Sequence, residues 1–337
     1  MGVEKYMRIE SLVSVVVAVS KKDDNIYGCV ECIMEQSYQN LEIILVYDAT
    51  CERSKRICNN LSIMDMRIKI IGILQDKEKS SHEDFRTLAF YEGLLQAKGS
   101  YITFVDNRDR IRKDMIRYLL RTCTKYQCQI SSLSRKSTNF GKGKIRVYRR
   151  NAAFLSRKFT SEFNGKLFDL DLFEDLNLLE LLEKEGGYGD NFILYRLYYR
   201  AKKAAIIDKQ MYYEVKEKRN FFIDKQIQLN NGIQLFKDRI NFFKDKERTL
   251  LDLSHEYYCM FLAAYYLYIA RNKKEKDMEK VLASFKKEYD RVRSNIITPI
   301  NRKIFLSLLY YLPGLCAGIA RILAIDYSLL KKCVSRI

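Results

Sequence analysis

The run VSVVVAV at residues 13–19 constrains this chain more than any other segment. Seven small or β-branched residues without a charge leave no face for water, so the run reads as a strand covered on both sides, at the centre of a parallel sheet. With Ser11 included, the expected strand covers 11–19. Ile26, Val30, Ile33 and Met34 then recur at helical spacing, and Asp23 and Asp24 stand where a helix N-terminus favours negative charge. A second apolar strand at 41–46 runs on to Asp48. The same alternation continues: a helix at 51–61, a strand at 67–74, a helix at 85–97 stopped by Gly99, a strand at 101–105 and a helix at 113–126. Strands alternating with helices imply a mostly parallel sheet with crossover connections, and such sheets bind ligands at the carboxyl ends of their strands. Asp48 falls at one such end, and the cluster Asp106, Arg108 and Asp109 at another.

The net charge of +18 implies a negatively charged partner: nucleic acid, an anionic membrane surface or a phosphate-bearing substrate. Nine lysines and arginines and no carboxylate occupy 135–158, either as a solvated basic loop and hairpin or as a phosphate-binding surface. The sequence context of a recognised DNA or RNA module is missing around this stretch, so no nucleic-acid partner is expected. The nine cysteines are an odd number and the N-terminus lacks an apolar signal core, which points to free thiols in a reducing cytoplasm. Cys29 and Cys32 form a CxxC on a predicted helix, and Cys29 lies on its apolar stripe, so packing is expected there rather than metal binding.

Residues 176–182 and 192–204 read as helices separated by Gly186 and Gly187, with Glu174 and Asp175 at the solvated start of the first. Beyond 225 the pattern is helical throughout. Residues 304–320 carry no charge, but this stretch of 17 is short for a membrane span and is broken by Pro313 and Gly314. Residues 291–337 hold eight basic side chains against one acidic, Asp326. An amphipathic tail lying on an anionic bilayer is expected, with a packed helix pair as the alternative. The expected organisation is a domain at 1–225, with halves at 12–125 and 126–225, and a helical region at 226–337.

Several blocks, in order, carry a family resemblance: VSVVVAVSK at 13–21, QSYQNLEIILVYDAT at 36–50, AFYEGLLQAKGSYITFVDNRD at 89–109, NGKLF at 164–168, and GDNFILYRLYYRAKKAAIIDKQMYY at 189–213. Over 12–215 the chain resembles the family 2 glycosyltransferases of the GT-A fold. The resemblance implies an α/β nucleotide-diphospho-sugar transferase fold, a mostly parallel sheet flanked by helices, with a helical C-terminal extension. It further implies inverting transfer of a sugar from a nucleotide-sugar, a UDP-sugar, to a cell-surface polysaccharide or lipid-linked acceptor, by a cytoplasmic protein peripheral at the inner face of the plasma membrane.

Residue by residue, the resemblance places Asp48 against the nucleotide base and Val17, Val19 and Tyr47 around the donor. Asp106 and Asp109 fall at the ribose–diphosphate region or at a Mn²⁺ or Mg²⁺ ion, and Asp190 at the general base. Asp48 also suits a turn, and Asp190 a helix N-cap with the helix at 192–203. The last aspartate of the family's DxD is Arg108 here, and guanidinium has no acceptor for a metal. Either Arg108 supplies a fixed cation to the diphosphate in place of the metal, or it pairs with Asp106 or Asp109 and the donor site is dead. Other polar positions of the pattern also differ, at Ala18, Ser20, Lys21, Tyr47, Phe90 and Tyr91. A catalytically inactive partner of an active transferase is therefore the alternative function.

Overall fold

The computed structural model describes residues 11–19, 25–74, 82–134, 137–141, 143–156, 158–160, 162–176, 189–215, 225–272 and 277–322. The chain divides into two units: Met1–Ala153, Phe163–Leu182 and Leu197–Phe221 in the first, and Phe154–Glu162, Glu183–Arg196 and Phe222–Ile337 in the second. The second thus takes two short segments that a division at 225 does not foresee.

In the first unit β1 (Val13–Val19) is buried along its whole length, as its uniform apolar composition requires. It is flanked in parallel by β2 (Leu41–Asp48) and β4 (Tyr101–Asp106), and β3 (Ile68–Ile73) extends the sheet beyond β2. Helices α1 (Ile26–Met34), α2 (Glu52–Met64), α3 (His82–Leu95) and α4 (Met115–Tyr126) make the connections. The short pair β5 (Arg110–Ile111) follows β4, and the large sheet continues with β6 (Ile130–Leu133), β7 (Lys144–Arg149), β8 (Lys166–Asp169) and β9 (Lys203–Asp208). Helix α5 (Arg150–Ser156) follows β7, and α6 (Gly189–Arg200) precedes β9. The strand order is β3-β2-β1-β4-β8-β6-β9-β7. The chain therefore builds outward from β1 to β3, then returns to place β4 on the other side of β1. That reversal opens a crevice at the carboxyl ends of β1, β2 and β4.

Four predicted strands and four helices recur with ends shifted by a few residues. The expected helix at 192–204 is a correction: α6 starts at Gly189 and stops at Arg200, and residues 203–208 form β9, paired parallel with β6 and antiparallel with β7. Glu174 and Asp175 follow a 3-10 turn at Leu170–Phe173, and whether they open the expected helix lies outside the described residues. Residues 177–182 of the expected helix at 176–182, the Gly186–Gly187 break, Asp23 and Asp24, and Ser20 and Lys21 lie outside the described residues. The centre of the basic run is β7, an edge strand with Lys144 and Arg149 exposed. Positive charge there deters a further strand from pairing. Arg135, Lys136, Lys142 and Arg157 of that run lie outside the described residues.

Several polar residues of the family blocks hold the sheet rather than the crevice. Gln36 is fully buried, donates to the Cys32 and Arg112 carbonyls, and accepts from the Ile116 amide at the start of α4. Gly93 lets α3 approach β1 closely, since a Cβ there would lie 2.2 Å from Val16. Glu42, 4% exposed, accepts from the Ser14 hydroxyl at 2.6 Å and the amides of Lys98 and Gly99 at 2.5 and 3.0 Å, and pairs with Lys69 at 2.6 Å. Burial raises its pKa, but the bonds from Lys69, Ser14 and Lys98 outweigh burial and hold it below the usual carboxylate value. A folded-state pKa below the unfolded one stabilises the fold above the unfolded value, and the gain disappears as pH falls through the folded value. Glu42→Ala leaves buried donors without an acceptor and is expected to cost about 3 kcal/mol in urea unfolding near neutral pH. The difference from the parent should shrink in acid.

The second unit is built around α8 (Arg248–Arg271), 24 residues long and buried on nearly every side in its C-terminal half. It packs with α7 (Lys225–Phe243), α9 (Met278–Val292), α10 (Ile300–Tyr311) and α11 (Pro313–Ile322). Phe236 of α7 meets Phe261 and Tyr258 of α8 at ring distances of 5.3 and 5.9 Å. Arg239 is buried among aromatic rings and bonded to the Ser254 hydroxyl at 3.2 Å, and burial lowers its pKa to about 10. It still carries its charge at neutral pH.

Candidate active site

The register of the central strands fixes where each predicted residue stands. Ala18 of β1 is level with Val46 of β2 and with Asp106 of β4. Side chains alternate along a strand, so Asp106, Val46 and Asp48 share one face. Asp48 and Asp106 close the carboxyl ends of strands two positions apart, roughly 10 Å across the sheet. A nucleoside diphosphate can bridge that span. Val17, Val19 and Tyr47 belong to the opposite face. Their side chains lie in the core cluster with Val15, Leu45 and Val105, and the Tyr47 ring covers Gly72 of β3, where an added Cβ would be 2.9 Å from its hydroxyl. Only the backbone of these three residues is available to a ligand in the crevice. The alternation of 47 and 48 already contains this separation.

Asp48 is buried, and its Oδ1 accepts from the Thr50 amide at 2.8 Å and the Thr50 hydroxyl at 2.6 Å. The side chain thus shapes the turn after β2, the second role its residue type suggests.

The turn after β4 is held from three sides. The Cys29 thiol of α1 donates to the Asp106 carbonyl at 3.3 Å, and Asn25 donates to the Arg108 carbonyl at 3.1 Å. The Asp106 amide donates to the Tyr212 hydroxyl at 3.2 Å. Cys29 is buried, and the Cys32 thiol donates to the Cys29 carbonyl within the helix. Gly28 makes room for the Arg110 guanidinium, which lies within 2.0 Å of where a Cβ would stand. Arg110 in turn bonds Asn25 at 3.1 Å.

Within the acidic cluster the charges are already engaged. Arg108 Nε lies 3.4 Å from Asp106 Oδ1, with both side chains mostly buried. Asp109 uses both oxygens: Oδ2 accepts from the Tyr212 hydroxyl at 2.7 Å and Oδ1 from the Val215 amide at 2.9 Å. These bonds tie the turn to β10 (Tyr212–Tyr213), which pairs antiparallel with β5. Tyr212 is the residue that sequence reasoning missed, and its signal is the aromatic pair closing the last family block. Burial is the main cause that raises the Asp109 carboxyl to about 6, with the Asp106 charge adding to it and the Tyr212 and Val215 bonds opposing it. A raised folded-state value means that native protein binds a proton the unfolded chain has released. Stability attributable to Asp109 should therefore fall as pH rises from about 4 to 6, by no more than about 3 kcal/mol. Urea midpoints of the parent minus those of Asp109→Asn, measured across that range, should show this slope.

This arrangement does not fit a divalent ion held by Asp106 and Asp109. A guanidinium occupies the position of a ligand, and the Asp109 oxygens are committed to inward bonds. Among the described residues no group of three or more His, Cys, Asp or Glu side chains is placed to hold a metal.

Asp190 belongs to the second unit. It stands in the first turn of α6, one residue inside the helix rather than at the cap, and is 4% exposed. Further along α6, Asp238 of α7 accepts from the Tyr195 hydroxyl at 2.5 Å and pairs with Arg196 at 2.8 Å. The helical unit therefore grips the helix that carries Asp190.

Residues 14–199 match the sequence profile of glycosyl transferase family 2. The chain belongs to this family. Its relatives include the glycosyltransferase GlyA of Streptococcus pneumoniae, 27% identical over 226 residues, covering 61% of this chain and 31% of GlyA. Another is the Escherichia coli enzyme WfaP, a UDP-Glc:alpha-D-GlcNAc-diphosphoundecaprenol beta-1,3-glucosyltransferase, 35% identical over 98 residues, 29% of this chain and 36% of WfaP. The chain spans about a third of the length of these two curated relatives. Among solved structures, S. aureus TarS 1-349 in complex with UDP superimposes with a TM-score of 0.63 at 13% identity, over 95% of this chain and 90% of that one. A mannosyltransferase of Pyrobaculum calidifontis, solved with GDP-Man and Mn²⁺, gives a TM-score of 0.52 at 14% identity, over 93% of this chain and 88% of that one. At such identities these likenesses concern the fold, which is the GT-A fold expected of family 2.

Proposed function

We propose that this family 2 protein transfers a sugar, with inversion, from a UDP-sugar to a cell-surface polysaccharide or lipid-linked acceptor. The observation that carries the reading is the pair Asp48 and Asp106 on one face of the sheet, at the carboxyl edge where the strand order reverses. In this reading Asp48 keeps its turn and presents its carboxylate to the imide N–H of the base. Backbone groups at the ends of Val17, Val19 and Tyr47 line the nucleotide. Asp106 takes the ribose–diphosphate region. Arg108 supplies the positive charge that stabilises the leaving diphosphate, as a fixed guanidinium with paired donors. Asp109 holds the loop through Tyr212 and Val215, and Asp190 accepts the proton of the attacking hydroxyl. UDP and UDP-GlcNAc in TarS complexes, and UDP-Glc in the name of WfaP, support the choice of uracil donors.

The test is incorporation of label from a panel of radioactive UDP-sugars into lipid-linked or polysaccharide material of a membrane extract. The reading expects one UDP-sugar to be used by the parent. Failure of the whole panel, with and without Mn²⁺, would refute it.

A further inference from the structure

The bent helix pair α10–α11 has two unlike faces. Leu306, Leu309, Cys316, Ala317 and Ala320 are buried in the helical unit. The outward face carries Ile304, Leu308, Tyr311, Leu315, Ile319 and Ile322, of which Ile304 is 63% and Leu315 55% exposed. Gly314 and Gly318 add bare backbone to the pair, with open space where a Cβ would stand. An exposed apolar surface this continuous marks an interaction site.

We infer that this face docks on an anionic bilayer and lies within one leaflet. Three observations select that occupant. The helices have 12 and 10 residues and meet at a bend of 107°, so each arm is about 18 or 15 Å long against a hydrocarbon core of about 30 Å. Among the described residues no single helix is long and apolar enough to cross a membrane. The apolar face also sits in a basic stretch, eight basic residues against one acidic over 291–337, including Arg291, Arg293, Lys303 and Arg321. Basic residues at a surface with anionic lipids contribute about 1 kcal/mol each, in addition to the buried apolar area. Finally, Tyr310 and Tyr311 stand at the bend, and tyrosine favours the membrane–water boundary. The inference goes beyond the transfer reading, because the face needs no sugar to act.

The test is co-sedimentation of the full chain with vesicles of phosphatidylglycerol or of phosphatidylcholine alone, at low and high salt. Binding to phosphatidylglycerol at low salt, weakened at least about tenfold by high salt or by phosphatidylcholine, is expected. The double variant Leu308→Asp/Leu315→Asp changes exposed positions only and should lose binding about a hundredfold. Its far-ultraviolet circular dichroism melting curve should match that of the parent. Lys303→Glu/Arg321→Glu should reduce the salt-sensitive part alone. A parent that stays in the supernatant, or a Leu308→Asp/Leu315→Asp variant that sediments as the parent does, would overturn the inference. So would light scattering showing a parent dimer that this variant converts to monomer, which assigns the face to a second copy. Because the assay reads vesicles alone, its failure is distinct from a failure of sugar transfer.

Discussion

Arg108→Ala is expected to weaken UDP binding by roughly 30- to 1000-fold, while chelation by EDTA leaves binding by the parent unchanged. The magnitude corresponds to about 2–4 kcal/mol, the loss of a charge-assisted contact to a phosphate in a mostly desolvated site. The reason lies in the turn after β4. Where a metal-dependent site needs carboxylate oxygens directed at an ion, this turn holds Arg108 against Asp106 and turns Asp109 inward to Tyr212 and Val215. In the proposed reading a diphosphate brought to this edge meets this guanidinium in place of a dication. Arg108→Asp separates the two readings of this residue. If Arg108 is the cation, the variant binds UDP as weakly as the alanine variant, and Mn²⁺ does not rescue it. Rescue by Mn²⁺ would show Arg108 to be a replaced metal ligand and no more. Isothermal titration of UDP into parent and variants, with EDTA and then with Mn²⁺, reads all of these outcomes.

Asp190→Asn is expected to lower sugar transfer by about 10²–10⁴-fold and to leave UDP affinity unchanged. Asparagine keeps the size of the side chain and its place in the first turn of α6, but it cannot take a proton from an acceptor hydroxyl. The proposed donor residues lie at the ends of β2 and β4 and not on α6, so a change confined to Asp190 should separate chemistry from donor binding. The grip of Asp238 on Tyr195 and Arg196 gives the helical unit a part in holding this residue. Equal loss of UDP binding and transfer in Asp190→Asn would remove the assignment of a base.

The parts of the fold that follow from local pattern were legible in the sequence. A strand apolar on both faces, such as β1, can only be central, and the alternation from β1 to β4 implies the parallel half and its carboxyl edge. The second half was less legible because its pairing is not local. β8 enters antiparallel between β4 and β6, and β9 is a six-residue run, KAAIID, that continues the apolar pattern of the helix before it. Only the neighbours β6 and β7 make it a strand. At the site, Asp48 and Asp106 were found where their strands end. The inward commitment of Asp109 was hidden because its partners, Tyr212 and Val215, lie more than 100 residues away. Glu42 carried a signal that could have been used: a carboxylate within an otherwise apolar strand must be paired in the interior, and here it is.

Titration of UDP into the parent and into Asp48→Ala, both in EDTA, tests the central claim most directly. The account predicts saturable one-site binding by the parent and a loss of at least about tenfold in the variant, whose Asp48 carboxylate no longer meets the base. A parent that binds no UDP with either EDTA or Mn²⁺ present would contradict the account, and so would equal binding by both proteins.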